Sequence, residues 1–442
     1  MPDATSSATP EPEWAALAAI DWGDEKHCWK LRDMQSQQTQ QGELPNTPEA
    51  LDTWAAQLYD RFAGRPIAVC LEQSRGAVVY QLSKHPHLVL YPVHPATSAR
   101  FREAFYPSGA KSDPEDSAVL LDLLEHHRDR LRRLDPDTPE TRLLQMLVEQ
   151  RRAWVDERTR QSNRLTACLK LYFPQALGWI DDIDSPLGCD LLERWPTLEQ
   201  LQHAHPGTLH RFFTAHNCRS KERIQERIQE IYKTTPAIRD TAMLEAGPLM
   251  VQQLIAVIRT LRTNICALDE RIAALVSTHP ETPLFKGLPG AGPALLPRLI
   301  VAFGTKRERY ACVDQLEAYS GIAPVTQQSG KSLWVHFRWG CPKFLRQTFH
   351  EFARLSIRKC AWARAYYEML IGKGKGHHAA IRALAFKWIR VLFACWKNHT
   401  PYDEQIYLRS LQSKPSRLTQ ILGTKLTWKS DGGLQKICAE NA

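Results

Sequence analysis

Two short apolar runs, each stopped by a carboxylate, constrain this chain most. Residues 15–20 read AALAAI and end at Asp21; residues 66–71 read PIAVCL and end at Glu72. Continuous apolar runs of this length with turn residues beside them are strands buried on both faces. A second strand is expected over His27–Leu31, antiparallel to the first, and a further apolar strand over Leu88–Val93. A third strand would lie within Gln35–Leu44, a stretch too polar to bound well. Thr47-Pro48 predicts a helix running to Phe62, with Thr47 as N-cap and Pro48 in the first turn. Helices are also expected from Gly76 to Leu82, and from after Ser98 to near Pro107-Ser108-Gly109. Strands first, then strand–helix alternation, mean an α/β sheet with helices on its faces. In such open sheets the carboxyl ends of the strands carry the site. Asp21 and Glu72 stand at two of those ends.

A third acidic element follows. Lys111-Ser112-Asp113-Pro114-Glu115-Asp116-Ser117 leads into the apolar Ala118–Leu121. Asp113 is placed as an N-cap, Pro114 at the first helical position and Asp116 three residues on, on the same side of the first turn. Taken alone this is a helix-capping pattern that also suits the helix dipole. The functional reading requires Asp21 and Glu72 to converge on the same point, in which case four carboxylates crowd together. At ~4 Å and an effective dielectric of ~20, each like-charge pair costs on the order of 4 kcal/mol, so the group must bind cations or take up protons. Oxygen-only ligands select Mg²⁺ or Mn²⁺, and paired ions of this kind clamp both oxygens of an in-line phosphodiester displacement.

The pattern of Asp21, Glu72 and Asp113-x-x-Asp116 resembles the acidic tetrad of RuvC-like, RNase H-fold nucleases. More narrowly, IDWGDEKH, CLEQSRG and PSGAKSDPEDSAVLL resemble the insertion-sequence-110 family of transposases, also called Piv-type or DEDD recombinases. The resemblance implies an RNase H-like (RuvC-like) domain over residues 14–135, with the four carboxylates as catalytic metal ligands.

The composition agrees with an anionic partner. The chain has 442 residues and a formal net charge of +9, which favours nucleic acid or an anionic surface. Its eleven cysteines include no C-x-x-C pair, the usage of reduced thiols in a cytosol and not of a disulfide or zinc framework. The first residues lack the basic-then-apolar layout of a secretory signal, and no apolar run is expected to reach the length of a membrane span.

Residues 138–280 read as a long-helix, coiled-coil-like middle. From Thr138 to Phe173 the chain is free of glycine, and Leu144, Leu147, Trp154, Leu165 and Cys168 form a stripe. Arg151, Arg158 and Gln161 fall on the same stripe, so either the helix leans on nucleic acid or another domain, or this is a solvated basic face. Residues 175–235 are expected as a small helical insert, with turns at Trp195-Pro196-Thr197-Leu198 and His205-Pro206-Gly207-Thr208-Leu209. A second long helix is expected over Pro248–Ser277. Its seam is Leu254, Val257, Leu261, Ile265, Leu268, Ile272 and Leu275.

The C-terminal domain, 281–400, is expected to be mainly α. Leu288-Pro289-Gly290-Ala291-Gly292-Pro293 has the look of the hairpin in a helix-hairpin-helix, where Gly290 and Gly292 let backbone N–H groups approach a phosphate; an ordinary packing joint is the alternative. Pro297 inside the second helix departs from that pattern. Next comes the polar turn Thr326–Ser332, followed by an aromatic, basic stretch. Gly330-Lys331-Ser332 invites a nucleotide-binding loop, but Val325 stands where that loop needs glycine, and LWVHFRW reads as strand. Ser329 by itself is a turn serine. Lys331, Arg338, Lys343 and Arg346 lie near it in sequence. Gly372-Lys373-Gly374-Lys375-Gly376 opens a helix to Trp396, with Lys373 and Lys375 as a phosphate cradle. Residues 401–442 are expected as a basic tail that begins with a short helical stretch.

GIAPVTQQSGKS followed by HFRWGCPKFLRQTFHEFA is similar to the C-terminal transposase domain of the same family. The similarity implies that Ser329 is the nucleophilic serine of a DNA recombinase acting with the acidic tetrad. It further implies DNA ends and target as substrates, a structured noncoding guide RNA, a homo-oligomer built as a dimer of dimers, and a prokaryotic cytoplasm with the nucleoid as the place of action. Two other readings stay open on the residues alone: a metal-dependent junction nuclease using water, and a non-enzymatic nucleic-acid scaffold.

Overall fold

In the computed structural model, residues 13–106 and 113–412 are described. The chain divides into two compact units, Met1–Pro136 and Asp137–Ala442.

The first unit is built on a five-stranded sheet of order β3-β2-β1-β4-β5. β1 (Ala16–Asp21), β2 (Lys26–Asp33) and β3 (Thr39–Pro45) form an antiparallel meander. β4 (Ile67–Leu71) runs parallel to β1, and β5 (Leu88–Pro92) parallel to β4. The polar third strand thus exists. It is an edge strand whose residues are mostly exposed, so no apolar alternation was needed to hold it, and Lys26 pairs with Glu43 across it at 2.7 Å. α1 (Pro48–Arg61) starts as expected: the Thr47 hydroxyl accepts from the Ala50 N–H at 3.3 Å. α2 (Ala77–Leu82), α3 (Pro95–Phe105) and α4 (Asp113–His127) complete the unit. α3 begins earlier than expected. His94 is its cap, accepting from Ala96 N–H, and Ser98 lies inside the first turn. The expected end of this helix at Pro107-Ser108-Gly109 lies outside the described residues.

Side chains of a strand alternate between faces, and here the two faces are separate cores. Ala16, Ala18 and Ile20 of β1 and Val69 and Leu71 of β4 pack with Leu51, Trp54, Leu58 and Val78 of α1 and α2. Leu17, Ala19, Ala68 and Cys70 pack with Leu120, Leu121 and Leu124 of α4 on the other side. Each fully buried aliphatic side chain of this kind contributes about 1.5–3 kcal/mol.

The second unit is organised by two long antiparallel helices, α5 (Pro139–Tyr172) and, beyond the insert, α11 (Thr241–Thr278). Thr141 at the start of α5 meets His279 just after α11 at 3.0 Å, and Cys168 near its end lies against the Gly247 carbonyl. Between them come the insert helices α6 (Ala176–Trp179), α7 (Pro186–Arg194), α8 (Leu198–His203), α9 (Pro206–Ala215) and α10 (Lys221–Lys233). Both predicted turns cap helices: Thr197 caps α8, and His205 with Pro206 opens α9. The insert has its own core. Phe173, Trp179, Leu191, Phe213 and Ile231 pack there with Leu165 and Leu169 of α5 and Val251, Ile255 and Ile258 of α11.

Three expectations for the long helices are corrected. α11 starts seven residues before Pro248, capped by Asp240, which accepts from the Met243 N–H at 2.8 Å. Its N-terminal half turns Val251, Ile255 and Ile258 inward, while Val257 is exposed. The insert contributes a second apolar surface there and rotates the buried stripe away from the single seam read from spacing. α11 is also long and apolar enough to cross a membrane by length and composition. It is nonetheless built into the unit by polar pairs: Arg259 with Asp190 and Glu193, and Asp269 with Arg151 at 3.0 Å. The charged stripe of α5 has partners within its own unit. Arg158 reaches Asp184 at 3.3 Å, and Gln161 donates to Glu157 at 2.5 Å. These contacts account for the polar interruption without nucleic acid.

The other end of the helix pair carries the largest core. α12 (Thr282–Phe285), α13 (Leu296–Phe303), α14 (Val313–Tyr319), the hairpin β6 (Val325–Ser329) and β7 (Ser332–His336), α15 (Lys343–Lys359), α16 (Ala361–Gly372), α17 (His377–Lys397) and α18 (Glu404–Gln412) follow in order. Phe303, Phe349, Phe352, Trp362, Trp388 and Trp396 fill it, with Leu144 of α5 and Ile272 of α11. α18 is the short helix expected at the start of the basic tail; residues 413–442 lie outside the described residues. The expected helix-hairpin-helix opens with a single turn, α12, so its first arm is short. Pro297 sits in the first turn of α13, where proline is tolerated. Gly290 takes φ +92°, and a Cβ there would lie 2.9 Å from the backbone of Leu355 and Ser356. Its lack of a side chain serves close packing on α15.

Candidate active site

In the first unit the parallel register decides which carboxylates meet. Ile20 of β1 lies opposite Leu71 of β4, so Asp21 and Glu72 are lateral neighbours at the carboxyl edge, about 4.8 Å apart strand to strand. They also share a face. Asp21 continues the row Leu17–Ala19, and Glu72 the row Ala68–Cys70, both packed under α4. Asp116, only 9% exposed, stands one turn before Leu120 on that helix. Burial, with a smaller contribution from the Glu72 charge, pushes the Cys70 thiol well above its ordinary range. Asp113 is the first residue of α4, not a residue before it; its side chain lies outside the described residues.

α3 supplies two groups that the sequence reading did not single out. The Ser98 hydroxyl donates to Glu72 and Arg102 pairs with Asp116. His27 is a third. It is fully buried, accepts at Nδ1 from the Gly23 N–H at 3.3 Å, and its Nε2 lies 3.1 Å from the Asn46 side-chain oxygen. Burial lowers its pKa despite the Asn46 bond, so the neutral ring braces the turn just after Asp21. The available signal was position: β5 also ends at this edge, so the helix after it must begin beside Glu72.

The oxygen donors here fit a hard divalent cation. Among the described residues, no three carboxylate, histidine or cysteine groups already form a cage that could hold one. Arg102 and Ser98 occupy part of the donor set, and the Asp113 side chain is not described. Asp21, Glu72 and Asp116 are the described residues that would hold the ion.

In the second unit Ser329 ends β6 and pairs with Ser332 across a two-residue loop, Gly330-Lys331. The turn is therefore shorter than the polar stretch suggests: Thr326–Ser329 are strand, polar because both faces of this hairpin are open. Gly330 takes φ +55°, as the first loop position of a tight hairpin asks of glycine. A strand on each side of Gly-Lys-Ser agrees with the rejection of a nucleotide-binding loop. Ser329, Lys331 and Lys343 are exposed. Arg338 and Arg346 are half-buried and brace the base. Arg346 donates to the Arg338 carbonyl at 3.2 Å and lies 4.4 Å from the Phe337 ring centroid; Arg338 approaches the Ala323 carbonyl at 3.5 Å. Lys373 and Lys375 sit in the exposed α16–α17 turn, whose N–H groups close back on Met369 and Leu370. Gly292 has open space around it. His377 meets the Tyr367 hydroxyl at 2.7 Å, whereas His378 stacks on His350.

Comparison with known proteins covers both units. A DEDD-type family model described as transposase matches residues 18–174, and a second, described as transposase of the IS116/IS110/IS902 family, matches residues 282–368. The chain is 26% identical over 348 residues to the mini-circle putative transposase for IS117 of Streptomyces coelicolor, covering 77% of this chain and 83% of that protein. It is 26% identical to the insertion element IS110 uncharacterized 43.6 kDa protein of the same organism, over 82% and 89% of the two chains. It is 25% identical to the insertion element IS900 uncharacterized 42 kDa protein of Mycobacterium paratuberculosis, over 70% and 77%. With a DEDD transposase domain of RNase H-like kind that implies divalent-metal use, and a second transposase domain after it, this chain belongs to the insertion-sequence-110 family of transposases.

Proposed function

We propose that this transposase cuts and rejoins DNA through Ser329, with Asp21, Glu72, Asp113 and Asp116 holding Mg²⁺ or Mn²⁺. The observations that support the reading are the lateral register of Asp21 and Glu72 on one face of the sheet edge, and the α3 residues Ser98 and Arg102 that hold Glu72 and Asp116. A carboxylate pair in lateral register at a sheet edge is electrostatically costly unless a cation joins it. When bound, a divalent ion supplies charge stabilisation to the phosphoryl oxygens.

The serine step balances by itself. Ser329 Oγ loses its proton as it bonds to phosphorus, the P–O bond to one deoxyribose breaks, and the released hydroxyl takes a proton. Attack of a deoxyribose hydroxyl on the phosphoserine reverses these changes, so rejoining needs no nucleotide cofactor. An exposed loop-edge serine suits a nucleophile that must reach a bulky polymer. Lys331, Lys343, Lys373 and Lys375 neutralise phosphates, with Gly290, Gly292, Arg338 and Arg346 shaping the surface around them. The domains in this reading are 14–135, 138–280 with the insert 175–235, 281–400 and the tail 401–442. The partners are element ends, target DNA, an element-encoded guide RNA and three further copies of the chain, acting in the cytoplasm at the nucleoid of a prokaryote.

The test is incubation with element ends, Mg²⁺ and co-purified RNA, followed by isolation of a serine-linked DNA species. Ser329→Ala abolishes the adduct while DNA binding survives. Wild-type cleavage of branched DNA by Ser329→Ala would select the water-using nuclease instead, and full function without the four carboxylates would select the scaffold.

A further inference from the structure

The hairpin that carries Ser329 also carries an unexplained aromatic surface. Trp334 is 61% exposed, Leu333 62%, Val335 54% and, just beyond the hairpin, Trp339 79%. An indole left this open on a two-stranded hairpin adds nothing to a core. Its face is set by register. Directly opposed residues project to the same side, and the pairs are Ser329↔Ser332, Gln327↔Trp334 and Val325↔His336. Trp334 therefore shares the face of Ser329, one pair along, about 7–8 Å by the usual diagonal spacing. His336, next on that face, lies 4.6 Å from the indole centroid to centroid. Leu333 and Val335 project to the opposite face.

Charge selects the kind of partner. From 318 to 350 the chain contains Lys331, Arg338, Lys343 and Arg346 and no Asp or Glu. A basic surface with an exposed aromatic plane is the recognition chemistry of unpaired nucleotides, whose phosphates meet the cations and whose bases stack on the ring. A second copy of a protein would bring carboxylates or apolar side chains to such a surface; a nucleic-acid strand brings phosphates at every residue.

We propose that Trp334 is a positioning residue that stacks an unpaired DNA base next to the phosphate offered to Ser329. This rests on the serine reading for its purpose but not for its measurement. One nucleotide step spans about the same length as the diagonal between the two residues, so a base on the indole leaves the neighbouring phosphate over the serine face.

The experiment uses the full chain carrying Ser329→Ala, so that no covalent step intervenes, and a mixed-sequence single-stranded DNA containing 2-aminopurine. Stacking on Trp334 quenches the probe. With Trp334→Ala added, the quench disappears and affinity falls roughly tenfold, the loss of one stacked base. The slope of log affinity against log salt stays unchanged, since no charge is removed. Trp334→Phe recovers most of the quench, and Val335→Ser on the opposite face leaves it intact. Unaltered quench and affinity in Trp334→Ala overturn the proposal. So does an equal loss in Val335→Ser, or a fall in oligomer mass with DNA binding preserved, which would make the indole a contact between copies. If stacking is found but the wild-type protein forms no serine adduct, the serine reading fails and the stacking site stands.

Discussion

The acidic edge of the first unit and the serine hairpin of the second are built to opposite standards. Asp21 and Glu72 extend strands whose residues are almost wholly buried, between two helical layers. Ser329 ends a strand with every residue from Thr326 onward exposed, paired to one other strand and nothing more. A group of carboxylates must be held against its own repulsion, so it needs a rigid frame and fixed neighbours such as Ser98 and Arg102. A nucleophile that meets a polymer needs reach, and a two-strand ribbon, marginal by itself, provides that. The difference teaches that the anionic half of the candidate chemistry is preorganised and that the hydroxyl half is completed by what it binds.

The sharpest way to break this contrast is at the sheet edge. Glu72→Gln keeps size and removes charge, and DNA cleavage with Mg²⁺ should fall on the order of 10³-fold or more while circular dichroism is unchanged. Wild-type cleavage by that variant would remove the edge from the chemistry. Stability separates the two regions next. Leu124→Ala, fully buried in the core between α4 and the sheet, should cost about 2–5 kcal/mol in urea titration, whereas Leu333→Ser on the hairpin should stay within about 0.5 kcal/mol. Comparable losses would mean the hairpin is part of a core. Gly330→Val addresses the loop. At φ +55° a β-branched side chain costs about 1–2 kcal/mol locally, and adduct formation should slow several-fold with the midpoint of unfolding hardly moved.

The smallest effect is on pH. Burial, with His378 and Arg382 next, lowers the pKa of His350 to about 4, against an opposing pull from Glu351. The unfolded chain then takes up a proton near pH 6.5 that the folded state does not, so stability falls as pH drops from 6.5 towards 4. His350→Phe should flatten part of that slope in the second unit. His27, lowered by burial, gives the first unit a slope of the same sign that His350→Phe leaves untouched.

Much of this was legible because it is local. Thr47 announced a helix start by residue type and its cap forms; the long helix expected from Thr138 and the turn expected at Thr197 also hold, and both threonines prove to be caps. The strands ending at Asp21 and Glu72 were visible as apolar runs, since strands buried on both faces admit little else. The third strand was not, because an edge strand owes its place to hydrogen bonds that any side chain allows. The stripe of α11 was misread over its first half, because the insert that rotates it is distant in sequence. Arg151 and Arg158 looked like unpartnered cations until Asp269 and Asp184 came beside them. Ser98 and Arg102 were invisible as site neighbours for the same reason.

Periodicity, capping residues and apolar runs closed by carboxylates were enough to determine an α/β unit followed by long helices; the family and its candidate residues came from the resemblance of whole motifs, not from spacing. The parallel register that sets Asp21 beside Glu72, the helix α3 that gives Glu72 and Asp116 their partners Ser98 and Arg102, and the hairpin pairing that puts Trp334 on the face of Ser329 were decided only in three dimensions. The physical reason is that spacing along a chain records the period of one element, whereas the neighbours of a charge or a ring are set by which elements pack together.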